Sequence, residues 1–249
     1  MSQVKPTVVF VPGAWHTTAC YSEVASLLEA AGYTTKMADL KSVGGEPIPG
    51  FQPDVEAVRS TIESACDADQ DVILFLHSYS GIVGSEAVKN LDKASRRKEG
   101  KSGGVVHLIY CCAFVLPEGA HLMAPLNDTD LPWMNTEDNK MVVHAMTPEK
   151  IFYNDLDEAA QQKWAAQLKP FSYKCFYSKL TYAGWRDIPS TYFYCLQDQA
   201  IPIDAQRGMV EGSGVQLRTE TLDASHSPFL SMPDKVAAGV RRAAGETTL

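Results

Sequence analysis

Val72-Ile73-Leu74-Phe75-Leu76-His77-Ser78-Tyr79-Ser80-Gly81 is an apolar run that stops abruptly in a histidine, serines and small residues. A helical pattern over 82–91 follows without an intervening loop. The stretch reads as a central strand that turns sharply into a helix, with Ser78 at the bend. Such a bend holds a hydroxyl out over the end of a sheet, where it can serve as a nucleophile. Far downstream, Asp198 follows another apolar run, and His226 lies in the polar loop Asp223-Ala224-Ser225-His226-Ser227-Pro228. A serine, an acid and a histidine, each at a strand end, can meet along one edge of a sheet.

Strands and helices alternate outward from this run. The pattern predicts strands over 7–11, 33–39, 72–76, 105–114, 191–196 and 215–221. Helices are expected over 19–31, 54–65, 82–91, 203–210 and 234–244, with Gly32 as a C-cap. Near-continuous apolar strands alternating with helices indicate a mostly parallel central sheet with helices on both faces. One segment breaks the rhythm. Over 117–187 no run is apolar enough for a sheet centre, yet aromatics and methionines abound, among them Trp133, Met134, Phe152, Trp164, Phe171 and Phe176. The expected organisation is a core of 1–116 and 188–249 with a helical cap or lid inserted over 117–187. The aromatics there serve both a satellite core and the wall of an apolar pocket.

The 249 residues suit one such domain with its insertion. A net charge of −8 and the lack of a long basic block argue against nucleic acid or an anionic membrane as partner. The cluster Arg96-Arg97-Lys98-Glu99-Gly100-Lys101 reads as a solvated helix end and loop. No signal-peptide pattern and no membrane-spanning run stand out, so a cytoplasmic location is expected. The six cysteines lack regular spacing and read as reduced thiols. Cys111 and Cys112, adjacent on a strand, are expected to face opposite sides. No His or Cys pair has metal-ligand spacing, so neither metal nor organic cofactor is expected.

A serine hydroxyl is a poor nucleophile at neutral pH. It needs a base to take its proton, and the base needs a partner to fix its tautomer. Ser78, His226 and Asp198 suit these roles; Ser80 is the alternative nucleophile. Asp204 reads as a helix N-cap and Asp223 as a turn residue or secondary acid. An oxyanion hole needs two backbone N–H groups, and the candidates are Tyr79, after the nucleophile, and Ala14 in the loop Pro12-Gly13-Ala14-Trp15-His16. Gly13, His16, Trp133 and Phe229 are the candidate substrate contacts, though His16 suits a structural hydrogen bond equally well. His77 and His107 read as structural, and His121 and His144 carry no assignment.

These motifs together resemble the plant methylesterase and hydroxynitrile lyase group of α/β-hydrolases. Pro12-Gly13-Ala14-Trp15-His16 is similar to that group's H-G-A-W-H, and Leu28-Glu29-Ala30-Ala31-Gly32-Tyr33 to its L-E-A-A-G-[HY]. His77-Ser78-Tyr79-Ser80-Gly81 resembles H-S-x-G-G, and Asp198-Gln199-Ala200-Ile201-Pro202 resembles D-x-x-I-P. Ser225 to Pro233 resembles D-H-x-x-M-L-S-x-P. Ser80 and Leu76 stand where the group has glycines. The resemblance spans most of the chain outside the insertion and is greatest to fungal hydrolases associated with secondary metabolism. It implies the α/β-hydrolase fold, the triad Ser78, Asp198 and His226, and a possible homodimer. The group's lyases carry a threonine and a lysine where this chain has Gly13 and Ser227, which implies the esterase branch.

The expected activity is hydrolysis of an ester or related acyl bond in a small, largely apolar or aromatic substrate. A lyase, condensation or cyclisation catalyst on the same fold is the second expectation. A ligand-binding protein on a hydrolase scaffold is the third.

Overall fold

The computed structural model describes residues 4–136 and 139–247. The chain runs β1 (Thr7–Val11), α1 (Ser22–Ala30), β2 (Thr35–Met37), α2 (Gln52–Cys66), β3 (Asp71–His77), α3 (Ser80–Ala87), α4 (Lys93–Lys98) and β4 (Gly104–Cys111). An excursion then carries β5 (Met134–Thr136), β6 (Val142–Ala145), α5 (Pro148–Ile151), α6 (Glu158–Ala165) and β7 (Phe171–Ser172). The chain returns through β8 (Ser190–Cys195), α7 (Ile203–Gly212), β9 (Arg218–Leu222), α8 (Pro228–Ser231) and α9 (Pro233–Ala243).

The main sheet has the order β2-β1-β3-β4-β8-β9, and every neighbouring pair in it is parallel. β3 shows why its sequence is apolar throughout. Val72, Leu74 and Leu76 join the core under α2 and the excursion, while Ile73 and Phe75 join the core under α1 and α9. A strand buried on both faces has no polar side to alternate with. After β1 the chain goes to β2 on one side, and β3 then pairs on the other. The order therefore reverses between β1 and β3, and the crevice at their carboxyl ends is where such sheets bind ligands. The loop after β1 and the bend at Ser78 both open there.

Several local expectations change. β4 stops at Cys111 because Cys112 takes a left-handed backbone (φ 37°). That break ends the alternation, so the thiols of Cys111 and Cys112 do not diverge; both sulfurs lie within 4.8 Å of each other and of Cys195. The basic cluster is not wholly solvated. Arg96 is buried, pairs with Asp67 at 2.7 Å, and donates from Nε to the Gly103 carbonyl at 2.6 Å. The excursion is not purely helical either, since β5, β6 and β7 form an antiparallel sheet. These strands have two to four residues, and Val143 is the buried residue of β6, too little apolar signal to read as a strand.

His107 on β4 is buried and bonds the Thr191 hydroxyl at 2.8 Å. Burial first, then the nearby Arg218 charge, lowers its pKa to about 4. His16 is likewise lowered to about 4, mainly by burial. A histidine depressed in the fold binds fewer protons there than in the unfolded chain. Its contribution to stability is complete above the ordinary value near 6.5 and is lost as pH falls toward 4, roughly 3 kcal/mol for each at full titration. The unfolding midpoint is therefore expected to drop between pH 7 and 4.5. His107→Gln, with no titrating group, should flatten part of that drop; a midpoint independent of pH in wild type contradicts the expectation.

Candidate active site

Ser78 directly follows β3 with φ 55°, a left-handed backbone that costs a non-glycine residue about 1–3 kcal/mol. Its surroundings hold it there. The Ser78 N–H donates to the Cys111 carbonyl at 3.3 Å, and the Ser78 carbonyl accepts from Gly81 at 3.0 Å and Phe114 at 3.1 Å. Gly81 has to be glycine, because a Cβ would stand 2.3 Å from the Phe114 carbonyl oxygen. The two unexpected residues of the bend also find their reasons. Leu76 fits because Gly84 on α3 makes room; a Cβ on Gly84 would meet the Leu76 side chain at 2.2 Å. The Ser80 hydroxyl accepts from the His77 N–H at 2.7 Å and shares its own proton between the His77 carbonyl at 2.8 Å and the Val11 carbonyl at 3.0 Å, so it is engaged in holding the bend to itself and to β1. The Ser78 hydroxyl makes no hydrogen bond among the described residues.

His226 and Asp198 meet at 2.7 Å through Nδ1 and Oδ2, and both are buried. A carboxylate only accepts, so Nδ1 carries a proton, and in the neutral imidazole that leaves the lone pair on Nε2. Asp198 is held by three further donors. Its Oδ1 accepts from the backbone N–H groups of Ala200 (2.8 Å) and Ile201 (2.9 Å), and its Oδ2 from Gln206 Nε2 (3.2 Å). Gln206 was not singled out from the sequence. It is fully buried on α7 and also bonds both backbone groups of Cys195 and the Ile201 carbonyl. A glutamine sharing a helix face with Met209 and Val210, which pack on the core, was the available signal. Asp204 is exposed beside Arg207, and Pro202 rather than Asp204 caps α7. Asp223 is exposed and accepts from Gln197.

Behind His226 lies His77. Its Nε2 donates to the His226 carbonyl at 2.8 Å, and the two rings are 4.6 Å apart. Burial first, then the neighbouring His226, pushes the His77 pKa well below its ordinary value. Cys112 Sγ donates to the same carbonyl at 3.4 Å.

The N–H groups of Ala14 and Tyr79 donate to no other group of the described residues, and both residues line the pocket that holds Ser78 and His226. The Tyr79 hydroxyl is anchored 2.8 Å from buried Asp54, whose own pKa burial raises. Gly13 brings the β1 loop against the bend, where a Cβ would stand 2.8 Å from His77 and 2.9 Å from Ser78. Trp15 pays for the loop's path with φ 64°, and its ring donates to the Val143 carbonyl at 2.9 Å.

The pocket has a volume of about 670 Å³. Trp133, Met134, Phe152 and Phe176 of the excursion line it, with Leu122, Leu126 and Leu131, while Tyr153, Phe171 and Tyr173 are buried in the core. No charged side chain of the described residues lines it. Of the four residues expected to contact substrate, Trp133 lines this pocket, and Gly13, His16 and Phe229 do not. Gly13 lies beneath the bend. His16 has both ring nitrogens engaged, with the Ala14 carbonyl at 2.8 Å and the Tyr153 hydroxyl at 3.0 Å. Phe229 is buried against His77 and Tyr21. A second hollow of about 480 Å³ lies at the opposite edge of the sheet, beside Asp71, His107 and Arg218.

The groups whose spacing would suit a metal are Cys111, Cys112 and Cys195, and His77, Cys112 and His226. All are buried. Burial pushes the Cys112 and Cys195 thiols well above their ordinary pKa, while at Cys111 burial is outweighed by hydrogen bonds with those two thiols, which draw it down to about 6; two of the three are thus held as thiols, whereas metal ligation needs the thiolate. Among the described residues no helix is long and apolar enough to cross a membrane.

Known proteins share this arrangement of elements. The profile of the alpha/beta hydrolase family matches residues 8–239. The alpha/beta hydrolase nvfD of Aspergillus novofumigatus (strain IBT 16806) is 32% identical over 250 residues, covering 98% of this chain and 98% of that protein. Methylesterase 7 of Arabidopsis thaliana is 26% identical over 252 residues, covering 92% and 93%. A pyrethroid hydrolase from Sphingobium faniae JZ-2 superposes with a TM-score of 0.77 at 23% identity, covering 97% of this chain and 98% of that one. Tomato methylketone synthase I, solved with 2-tridecanone, gives a TM-score of 0.79 at 14% identity, covering 99% and 100%; both likenesses are of fold. The chain belongs to the alpha/beta hydrolase family.

Proposed function

We propose that the chain hydrolyses an ester bond in a small, uncharged, largely apolar substrate through a covalent acyl-enzyme. One observation carries this reading: an unbonded serine hydroxyl on a strained turn shares an apolar pocket with a histidine whose far nitrogen is fixed on Asp198. Ser78 Oγ attacks the carbonyl carbon while His226 Nε2 takes its proton. The tetrahedral oxyanion accepts from the N–H groups of Ala14 and Tyr79, which have no other acceptor to lose. His226 then protonates the departing alcohol, and a water activated by His226 releases the acid. Residues 117–187 act as the cap that surrounds the substrate with aromatic and aliphatic walls. The names of Methylesterase 7 and of the pyrethroid hydrolase are consistent with ester chemistry on this fold.

A second reading has its own support. With no bond from Ser78, His226 Nε2 is free to take a proton directly from a substrate carbon, as in lyase or condensation chemistry. Position 227, a serine, offers that route no positive charge to stabilise an anionic leaving group.

Rapid-mixing kinetics with p-nitrophenyl butyrate separate the two. An acyl-enzyme predicts a burst of p-nitrophenol, stoichiometric with enzyme, ahead of slower steady turnover. Turnover of this ester that persists in Ser78→Ala contradicts the proposal.

A further inference from the structure

Asp54 is the acid in the first turn of α2, a place where carboxylates usually serve the free N–H groups of their own helix. Here the side chain turns inward instead. It is fully buried, and its two oxygens reach two other parts of the chain. Oδ1 accepts from the Ser42 N–H at 2.9 Å, and Oδ2 accepts from the Tyr79 hydroxyl at 2.8 Å. No lysine, arginine or histidine of the described residues pairs with it. An acid buried without a cation is unfavourable, and an apolar side chain of its size would fill the same space more stably. What the acid adds is its two bonds.

One of them leads to the oxyanion site. The peptide group between Ser78 and Tyr79 carries the Tyr79 N–H. It follows the left-handed backbone of Ser78, so strain favours its turning away. Its carbonyl end is held by the N–H groups of Gly81 at 3.0 Å and Phe114 at 3.1 Å. Its other end is the Tyr79 Cα, and the tyrosine side chain is the lever on that atom. The ring meets Phe171 edge-on at 4.9 Å and Phe176 at 6.1 Å, apolar contacts across which it can slide. The hydroxyl, bonded to Asp54, cannot slide. Asp54 is itself held on a helix that packs against α3. Ser42, on its other oxygen, accepts through its carbonyl from the Ser172 N–H of β7 at 2.9 Å.

We propose that Asp54 is a positioning residue, which holds the Tyr79 hydroxyl and thereby fixes the direction of the Tyr79 N–H that receives the oxyanion. This rests on the esterase reading of Ser78. Asp54 is not part of the pocket wall, so its loss slows the steps that pass through an oxyanion and leaves substrate binding nearly unchanged. Acylation and deacylation both form an oxyanion, so kcat falls while KM holds.

The test compares wild type with Tyr79→Phe, Asp54→Ala, Asp54→Asn and the double variant Asp54→Ala/Tyr79→Phe on p-nitrophenyl butyrate, with butylboronic acid as inhibitor. Boron bonds to Ser78 Oγ, the serine proton passes to His226, and the tetrahedral adduct carries a negative charge with one oxygen toward the two N–H groups. Tyr79→Phe and Asp54→Ala are each expected to lower kcat about tenfold with KM within about twofold, and to weaken boronate inhibition by a similar factor. The double variant should fall no further than the slower single one, because both changes remove the same bond. Asp54→Asn should stay within about threefold of wild type, since its amide oxygen can accept from Ser42 and its NH₂ can donate to the Tyr79 oxygen. If Asp54→Ala does not fold, Tyr79→Phe and Asp54→Asn decide the matter between them. A loss in KM instead of kcat, unchanged boronate inhibition, additive losses in the double variant, or Tyr79→Phe with wild-type kcat overturns the proposal and leaves the esterase reading standing. A wild-type protein that neither hydrolyses the ester nor binds the boronate overturns both.

Discussion

Ser78→Ala is expected to lower kcat/KM for ester hydrolysis by at least about 10⁴-fold, toward 10⁶-fold where the acylation step is fully rate-limiting. The physical ground is that the change removes the only atom proposed to bond the carbonyl carbon and almost nothing else. The hydroxyl makes no hydrogen bond among the described residues, so its loss leaves no buried partner unsatisfied. Alanine meets the same left-handed backbone at φ 55° with the same Cβ. The pocket, the two free N–H groups and the His226–Asp198 pair remain. The unfolding midpoint should therefore stay within a few degrees of wild type while turnover collapses. Steady-state kinetics alongside a thermal melt check both halves. A variant that is inactive because it is unfolded would not support the account.

Asp198→Asn is expected to cost about 10⁴-fold in kcat, through the tautomer of His226 and not through geometry. The environment dictates how the amide must sit. Two backbone N–H groups, from Ala200 and Ile201, point at the Oδ1 position, and a side-chain NH₂ there would set donor against donor. The amide oxygen must take that place, so the NH₂ faces His226 Nδ1. That nitrogen then has to accept, which puts the ring proton on Nε2, where the Ser78 proton should arrive. The same NH₂ opposes Gln206 Nε2, now 3.2 Å from Oδ2, which adds a stability cost of about 1–3 kcal/mol. Measured kcat should fall far more than KM rises. Activity within tenfold of wild type would mean that Asp198 does not set the tautomer.

The bend was legible because its constraints are local: an apolar strand with no polar face, then a serine, then a helix with no room for a loop. The same holds for Asp198 and His226, each placed by the strand before it. What escaped the sequence depends on contacts between distant residues. Leu76 and Ser80 looked like defects of the bend, yet Gly84, eight residues on from Leu76, admits the first, and the Val11 carbonyl engages the second. His16 and Phe229 stand next to the candidate catalytic motifs, but proximity in sequence does not fix direction. The partners that turned His16 away are Ala14 and Tyr153. The three short strands of the excursion bury too little to show period-two alternation, and Cys112 broke the expected alternation with a single dihedral. Gln206 was visible only as a polar residue on an apolar helix face, and its meaning required knowing where Asp198 lay.

The central claim is that Ser78 is an activated nucleophile. It is tested most directly by intact-mass spectrometry after exposure to a fluorophosphonate, comparing wild type with Ser78→Ala. The account predicts a single adduct on wild type, mapped by peptide digestion to Ser78, and none on the variant. A wild-type enzyme that stays unmodified, or an equal adduct on both proteins, would contradict it.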